Sequence, residues 1–152
     1  MDKIMKKNSI LILGLVFLSG CAASGPQSLK TDDARQCAQN FTYNGSFLAG
    51  RTYNSHAYIK GVSKNTAMQR AARYTINKGF SINNTDKDLG IISASQTVSF
   101  GKGKTAPLNI GIESKKNGVD VSMTYSTSGG VTSPLGAITD HFCATIEAVA
   151  KK

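Results

Sequence analysis

Residues 92–125 alternate between apolar and polar side chains over three successive segments. Successive side chains of a β-strand point to opposite faces, so this alternation predicts three strands with one apolar and one polar face. Asn117-Gly118, the most favoured dipeptide for a two-residue hairpin turn, separates the last two segments. The chain therefore has to build an antiparallel sheet and to cover one face of it. The apolar positions are Ile92, Ala94, Val98, Phe100, Leu108, Ile110, Ile112, Val119, Val121, Met123 and Tyr125.

Two segments with helical spacing can provide that cover. Residues 65–78 repeat apolar side chains every three or four positions, with Ser63 or Asn65 available as the N-cap and Gly79 after the last turn. A second amphipathic helix is predicted after Pro134, a residue favoured at the start of a helix.

Further strands are predicted over 53–60 and, briefly, over 80–82, whereas 83–88 has the composition of a turn. The predicted fold class is α+β, with an antiparallel sheet of about four to five strands and two helices packed on one face, in the order βαβββα. The opposite face, rich in Ser, Thr and Asn, is expected to face solvent. Residues 41–51 have no clear periodicity. Their large side chains, which we expect to cover one edge of the core, are Phe41, Tyr43, Phe47 and Leu48.

The first twenty residues have the features of a secretory signal peptide. Lys3, Lys6 and Lys7 form a positive segment, residues 10–18 are apolar apart from Gly14, and small residues follow. A permanent membrane-spanning helix needs about 20 apolar residues, so these features favour a signal peptide over a transmembrane anchor.

Residues 18–21, Leu-Ser-Gly-Cys, resemble the lipobox of bacterial lipoproteins. The resemblance implies that residues 1–20 are removed as a lipoprotein signal peptide and that Cys21 carries a lipid that attaches the chain to a membrane. In Gram-negative lipoproteins, Asp after the lipidated Cys tends to hold the protein at the inner membrane. Ala22 stands at that position here, so the resemblance implies an outer-membrane protein with its domain in the periplasm. The alternative is an ordinary secreted protein that has Cys at this site.

Residues 21–36 are mostly small or polar and lack periodicity, which is typical of a flexible tether. Residues 37–152 are then a single α+β domain. The whole chain has 18 Lys and Arg against 9 Asp and Glu, and removal of residues 1–20 leaves 15 basic and 8 acidic residues. This excess favours contact with anionic lipid headgroups or with an acidic protein surface. The predicted compartment argues against nucleic acid as a partner.

With Cys21 assigned to lipid, Cys37 and Cys143 remain. Two thiols in an oxidising compartment most simply form a disulfide, which would tie the front of the domain to its last helix. The alternative is a buried free thiol at Cys143 and an unpaired Cys37. The sequence has no C-x-x-C motif, and its two His residues lack zinc-ligand spacing relative to these Cys residues, so we predict no metal and no cofactor.

The sequence contains no recognised catalytic arrangement. Gly103-Lys104-Thr105 is similar to the end of a phosphate-binding loop, but Val98 stands where the first Gly would have to be. His141 is interpreted as a helix-surface residue. We therefore predict that the chain is not an enzyme. The residues left for the alternative, a small envelope enzyme or an enzyme inhibitor, are Asp140, His141, His56, Glu113 and Asp120.

Four lysines flank the predicted strand 108–113 and are candidates for binding a partner: Lys102, Lys104, Lys115 and Lys116. Ordinary solubilising charge is the alternative, and the sequence leaves open whether the four form one patch. The predicted function is a lipid-anchored, non-catalytic binding or assembly module that engages another envelope component.

A second resemblance lies in the middle of the chain. Lys78-Gly79-Phe80 and the D-x-x-x-G pattern from Asp86 to Gly90 resemble the helix-grip domains of BamC-like lipoproteins. The chain is too short for the paired domains and the long arm of that family. The resemblance implies a periplasmic accessory or binding module and assigns no catalytic residue.

Overall fold

The computed structural model describes residues 25–99 and 103–151. The signal segment, Cys21, Phe100 and Lys102 lie outside these ranges, so what is expected of them stays a prediction. The elements of the described residues, in chain order, are β1 (Gln27–Ser28), α1 (Gln36–Gln39), β2 (Thr42–Ser46), β3 (Gly50–Lys60), α2 (Lys64–Asn77), β4 (Ser81–Asp86), β5 (Ile91–Thr97), β6 (Thr105–Lys115), β7 (Gly118–Ser128) and α3 (Leu135–Ala150).

All seven strands belong to one antiparallel sheet with the order β1-β2-β3-β7-β6-β5-β4. The central pairing joins β3 to β7 over eleven residues, from Gly50 opposite Ser128 to Lys60 opposite Gly118. A strand near the start of the domain thus lies beside the last strand of the chain. The architecture confirms the α+β class.

The predicted strand count and the order βαβββα are wrong in detail. Two further strands, β1 and β2, precede the first predicted one, and β4 continues through most of the predicted turn at 83–88. These strands lie at or near the edges of the sheet, where backbone pairing holds them and little apolar surface is buried. Apolar alternation is therefore missing from their sequences. The short helix α1 has no periodic signal either, since it spans only one turn.

Where the pattern is strong, the structure agrees with it. The apolar positions of β5, β6 and β7 are buried on one face, and Asn117 adopts a positive φ of 65° in the predicted hairpin turn. Helix α2 begins one residue before the predicted segment, and the Ser63 hydroxyl caps it by accepting from the Thr66 N–H at 3.3 Å.

Helices α2 and α3 pack against each other and against the apolar face, as predicted. At one end of this core three aromatic rings are fully buried, with centroid distances of 6.2 Å between Phe41 and Tyr53 and 6.0 Å between Phe41 and Phe142. The core therefore joins α3 to Phe41, just before β2, and to Tyr53 in β3.

Cys37 in α1 and Cys143 in α3 form the predicted disulfide. Their Cα atoms are 5.3 Å apart, both residues are buried, and 106 positions separate them in the sequence. The bond ties α1 to the helix that covers the centre of the sheet.

Part of the segment predicted as a flexible tether, 21–36, is held against the domain. Residues of β1 pair with β2, and the Leu29 N–H donates to the Phe41 carbonyl at 3.4 Å. The Arg35 guanidinium contacts two carboxylates of α3, Asp140 at 2.9 Å and Glu147 at 3.3 Å. From Gln27 onward the chain is therefore held against the domain. Within the described ranges, no helix has both the length and the apolar character required to cross a bilayer.

Replacing both Cys37 and Cys143 by Ala should lower the free energy of unfolding by about 4–5 kcal/mol, because the disulfide restricts the unfolded chain over a long loop. Urea denaturation of the wild type and of the double variant, each with and without reductant, measures this. Reductant should shift the wild type to the midpoint of the variant and leave the variant unchanged. Equal midpoints for the variant and the oxidised wild type would contradict a stabilising disulfide.

Candidate functional site

The face of the sheet opposite the helices, here called the open face, is polar across six strands. One row of register partners crosses β2, β3, β7, β6, β5 and β4, and it contains only hydroxyl and amide side chains. Its members are Thr42, Asn54, Thr124, Asn109, Ser93 and Asn84. The open-face prediction made from the Ser, Thr and Asn content is therefore confirmed.

Hydrogen bonds between neighbouring side chains order the open face. The Thr124 hydroxyl donates to Asn54 Oδ1 at 2.9 Å, and the Ser93 hydroxyl donates to Asn109 Oδ1 at 2.8 Å. Side chains that are already held in one rotamer lose little entropy when a partner binds. The open face is therefore a pre-organised polar surface.

The candidate lysines lie at opposite ends of the sheet. Lys104 precedes β6 and Lys115 ends it, so the two are separated by the length of the strand, about 35 Å at 3.3 Å per residue. Lys116 follows Lys115 in the turn. Lys102 lies outside the described residues. The structure therefore does not bring Lys104 into one patch with Lys115 and Lys116.

We call the sheet end formed by Lys60, Lys115 and Lys116 the lysine end. Lys60 ends β3 and pairs with Gly118, which places it beside the β6–β7 turn. Lys115 Nζ contacts Glu113 at 2.7 Å, and this hydrogen bond raises the pKa of Lys115. The lysine end therefore adds positive charge at one margin of the open face, with one of its lysines already paired.

His141 is not the helix-surface residue that the sequence predicts. Its ring is partly buried and stacks on Phe80, with centroids 5.3 Å apart and planes inclined by 21°. The reason is that the covered stripe of α3 is wide enough to include a residue next to the fully buried Phe142. Burial lowers the pKa of His141, and the positive charge of Lys78 lowers it further.

His141 lines a pocket of about 210 Å³. Tyr125 contributes a phenol whose pKa is raised by burial, and Gln96 contributes an amide. Asp140, the sequence neighbour of His141, is instead paired with Arg35 at 2.9 Å. The pocket can thus hold a small group against one imidazole, one phenol and one amide. Its lining residues are Lys78, Phe80, Gln96, Tyr125, Ile138 and His141.

The other residues considered for an enzyme do not join His141. Glu113 and Asp120 are register partners on the open face, and His56 lies on the same face opposite Ser122. Across residues 25–99 and 103–151, no group of three or more His, Cys, Asp or Glu residues is arranged to hold a metal ion.

Phe47 and Leu48 do not cover an edge of the core, contrary to the prediction. Phe41 is fully buried as expected, but Phe47 is 50% exposed and Leu48 is 85% exposed, because both lie in the turn between β2 and β3. The signal that could have located them is Gly45 and Gly50, which adopt positive φ on either side of the turn.

Comparison with known proteins identifies no relative by sequence. No protein-family model and no curated protein matches the chain. Among solved structures, CalU16 from Micromonospora echinospora is similar, with a TM-score of 0.43 and 10% identity, over 73% of this chain and 98% of CalU16. At this score the similarity carries no argument about function.

Lowering the pH from 7.5 to 5.5 should destabilise the protein through His141. Its pKa lies below 6.5 in the folded chain, so around and below pH 6.5 the unfolded chain binds a proton that the folded chain resists. The folded protein is therefore most stable with respect to His141 above pH 6.5, where the imidazole is neutral in both states. This stability is lost as the pH falls toward the lower pKa of the folded protein.

Urea denaturation of the wild type and of His141→Gln across this pH range tests the effect. The variant should show a shallower loss of stability, and His56→Gln, on the exposed face, should behave as the wild type does. Parallel pH profiles for the wild type and His141→Gln would contradict the assignment.

Proposed function

We propose that this chain is a lipid-anchored, non-catalytic binding module of the bacterial outer membrane, and that its open face engages a protein of the cell envelope. The observation that carries the proposal is the pre-organised polar row on that face, with a lysine end at its margin. The helices α1, α2 and α3 pack on the other side of the sheet, so no helix of residues 25–99 and 103–151 covers the polar surface.

The open face has the dimensions of a protein-binding surface. Six strands about 4.8 Å apart and up to eleven residues long present about 800 Å², which is the area that one partner contributes to a standard interface. The basic excess of the chain favours a partner with an acidic surface, since complementary charge speeds association and selects partners.

Three further features support an envelope location. The Cys37–Cys143 disulfide requires an oxidising compartment in most organisms, and the periplasm is one. The resemblance of residues 78–90 to BamC-like helix-grip domains also suggests an accessory module of the envelope. The lipobox resemblance at 18–21 supplies the membrane attachment, through Cys21.

A second candidate function, a small envelope enzyme or an enzyme inhibitor, is favoured by one observation, the His141 pocket. At about 210 Å³ this pocket is smaller than the 300–1,000 Å³ typical of small-molecule sites. The open face therefore supports the binding function better than the pocket supports catalysis.

Cys21→Ala should release the protein from the membrane, because the proposed lipid is attached at that residue. Cell fractionation followed by mass spectrometry of the mature N-terminal peptide measures both attachment and lipid. Ala22→Gly, which leaves the cysteine in place, is the control and should stay in the membrane fraction. Wild-type protein without lipid mass on Cys21 would contradict the anchor.

A photoreactive residue at Ser122, in the middle of the open face, should crosslink one defined envelope protein in intact cells. The matched control is the same residue at Gln69, which is exposed on α2 on the other side of the molecule. Charge reversal of Lys60 and Lys116 to Glu should lower the crosslinking yield, because it weakens attraction to an acidic partner.

Arg73→Glu, a charge reversal on α2, serves as the control for that loss and should leave the yield unchanged. Equal crosslinking patterns from Ser122 and Gln69 would contradict the open face as the binding surface. Yields that respond equally to both charge reversals would contradict the role of the lysine end.

A further inference from the structure

The turn between β2 and β3 presents two adjacent large apolar side chains to solvent. Phe47 is 50% exposed and Leu48 is 85% exposed. We call residues 46–50 the hairpin tip. Its backbone is held in place, because the Gly130 N–H donates to the Phe47 carbonyl at 2.8 Å and the Ala49 N–H donates to Ser46 Oγ at 3.2 Å. The exposed pair is therefore part of a defined structure.

Basic side chains lie beside the hairpin tip. Lys104 Nζ donates to the Gly129 carbonyl at 3.2 Å, and Gly129 is the neighbour of the glycine that contacts Phe47. Arg51 follows the tip directly and lies over the Tyr43 ring at 5.9 Å. Exposed aromatic and aliphatic side chains flanked by cations are typical of elements that bind the interface of an anionic membrane.

The direction of β1 is compatible with an anchor at the same end of the sheet. β1 runs antiparallel to β2, with Gln27 opposite Tyr43, so β1 followed toward its N-terminal end points toward the hairpin tip. Phe47 lies four residues beyond Tyr43, just past the end of β2, or about 13 Å in the direction of the strand.

Chain length limits how far the anchor can lie from the tip. Gln27 stands six positions after Cys21, and a fully extended chain of six residues reaches about 20 Å. The difference between this reach of about 20 Å and the distance of about 13 Å from the level of Tyr43 to that of Phe47 is about 7 Å. A lipid on Cys21 therefore places the bilayer surface at most about 7 Å beyond Phe47, measured along the strands. The lysine end lies about 33 Å further away, because β3 runs from the tip to Lys60.

We propose that the hairpin tip docks on the bilayer, with Phe47 and Leu48 in the interfacial region and with Lys104 and Arg51 at anionic lipid headgroups. This inference rests on the proposed lipid anchor at Cys21 and deepens it. The anchor supplies attachment and the tip supplies orientation. The sheet then stands with the lysine end directed away from the membrane, toward a partner.

The chain contains no Trp, so a single introduced Trp reports on its own position. We would reconstitute lipidated Leu48→Trp into vesicles of anionic and zwitterionic phospholipid, with and without brominated acyl chains. The matched control is Leu89→Trp, at a leucine that is 69% exposed in the β4–β5 turn, toward the lysine end and the opposite edge of the sheet. We expect a blue-shifted emission for Trp at position 48 and several-fold stronger quenching than at position 89.

Lys104→Glu, added to Leu48→Trp, should reduce the quenching in anionic vesicles and leave it unchanged in zwitterionic ones. Circular dichroism verifies that each variant folds; should Leu48→Trp fail to fold, Phe47→Trp replaces it with the same expectation. Equal quenching at positions 48 and 89 would overturn docking of the tip.

Vesicle flotation and the mass of the N-terminal peptide separate the two proposals. A lipidated chain that floats with vesicles while Trp at position 48 is not quenched overturns tip docking and leaves the anchor standing. A chain that carries no lipid on Cys21 and does not float overturns both proposals.

Discussion

The pairing of β3 with β7 is the interaction on which the rest of the structure depends. Over eleven residues it joins the β2–β3 hairpin to the antiparallel strands β5, β6 and β7. It also places Tyr53 beside Tyr125, with ring centroids 6.1 Å apart. A shift of one residue in this register would turn the buried side chains of β3 toward solvent. The continuous apolar face, the polar row opposite it and the two ends of the sheet all follow from this one register.

One-sided coverage is the second constraint. Helices α2 and α3 cover the apolar face of the sheet. The Cys37–Cys143 disulfide and the ion pairs of Arg35 hold the start of the domain against α3. The contacts that stabilise the fold beyond strand pairing therefore lie on one side of the sheet. The other side is left with hydroxyl and amide groups that hydrogen-bond to one another.

The molecule is also asymmetric along its strands. One end carries the hairpin tip and Lys104, and the other carries Lys60, Lys115 and Lys116. Composition gives only the excess of Lys and Arg over Asp and Glu. In the structure these lysines are divided between two ends of the sheet. In the proposed arrangement each has its own acidic counterpart, a lipid headgroup at one end and a protein at the other.

The amino-acid sequence is enough to predict strands β5 to β7 and both long helices, because their buried residues recur at strand or helix spacing, and the Asn117-Gly118 turn, because that dipeptide favours a hairpin. It also led to the disulfide, because only two cysteines remained for an oxidising compartment. It did not determine the edge strands, which are held by backbone hydrogen bonds that any polar sequence can make. Tertiary structure alone decided that Phe47 is exposed while Phe41 is buried, that His141 stacks on Phe80, and that the lysines separate. These outcomes depend on which distant segments lie next to each residue, and hydrophobic periodicity reports only on the local face of one element.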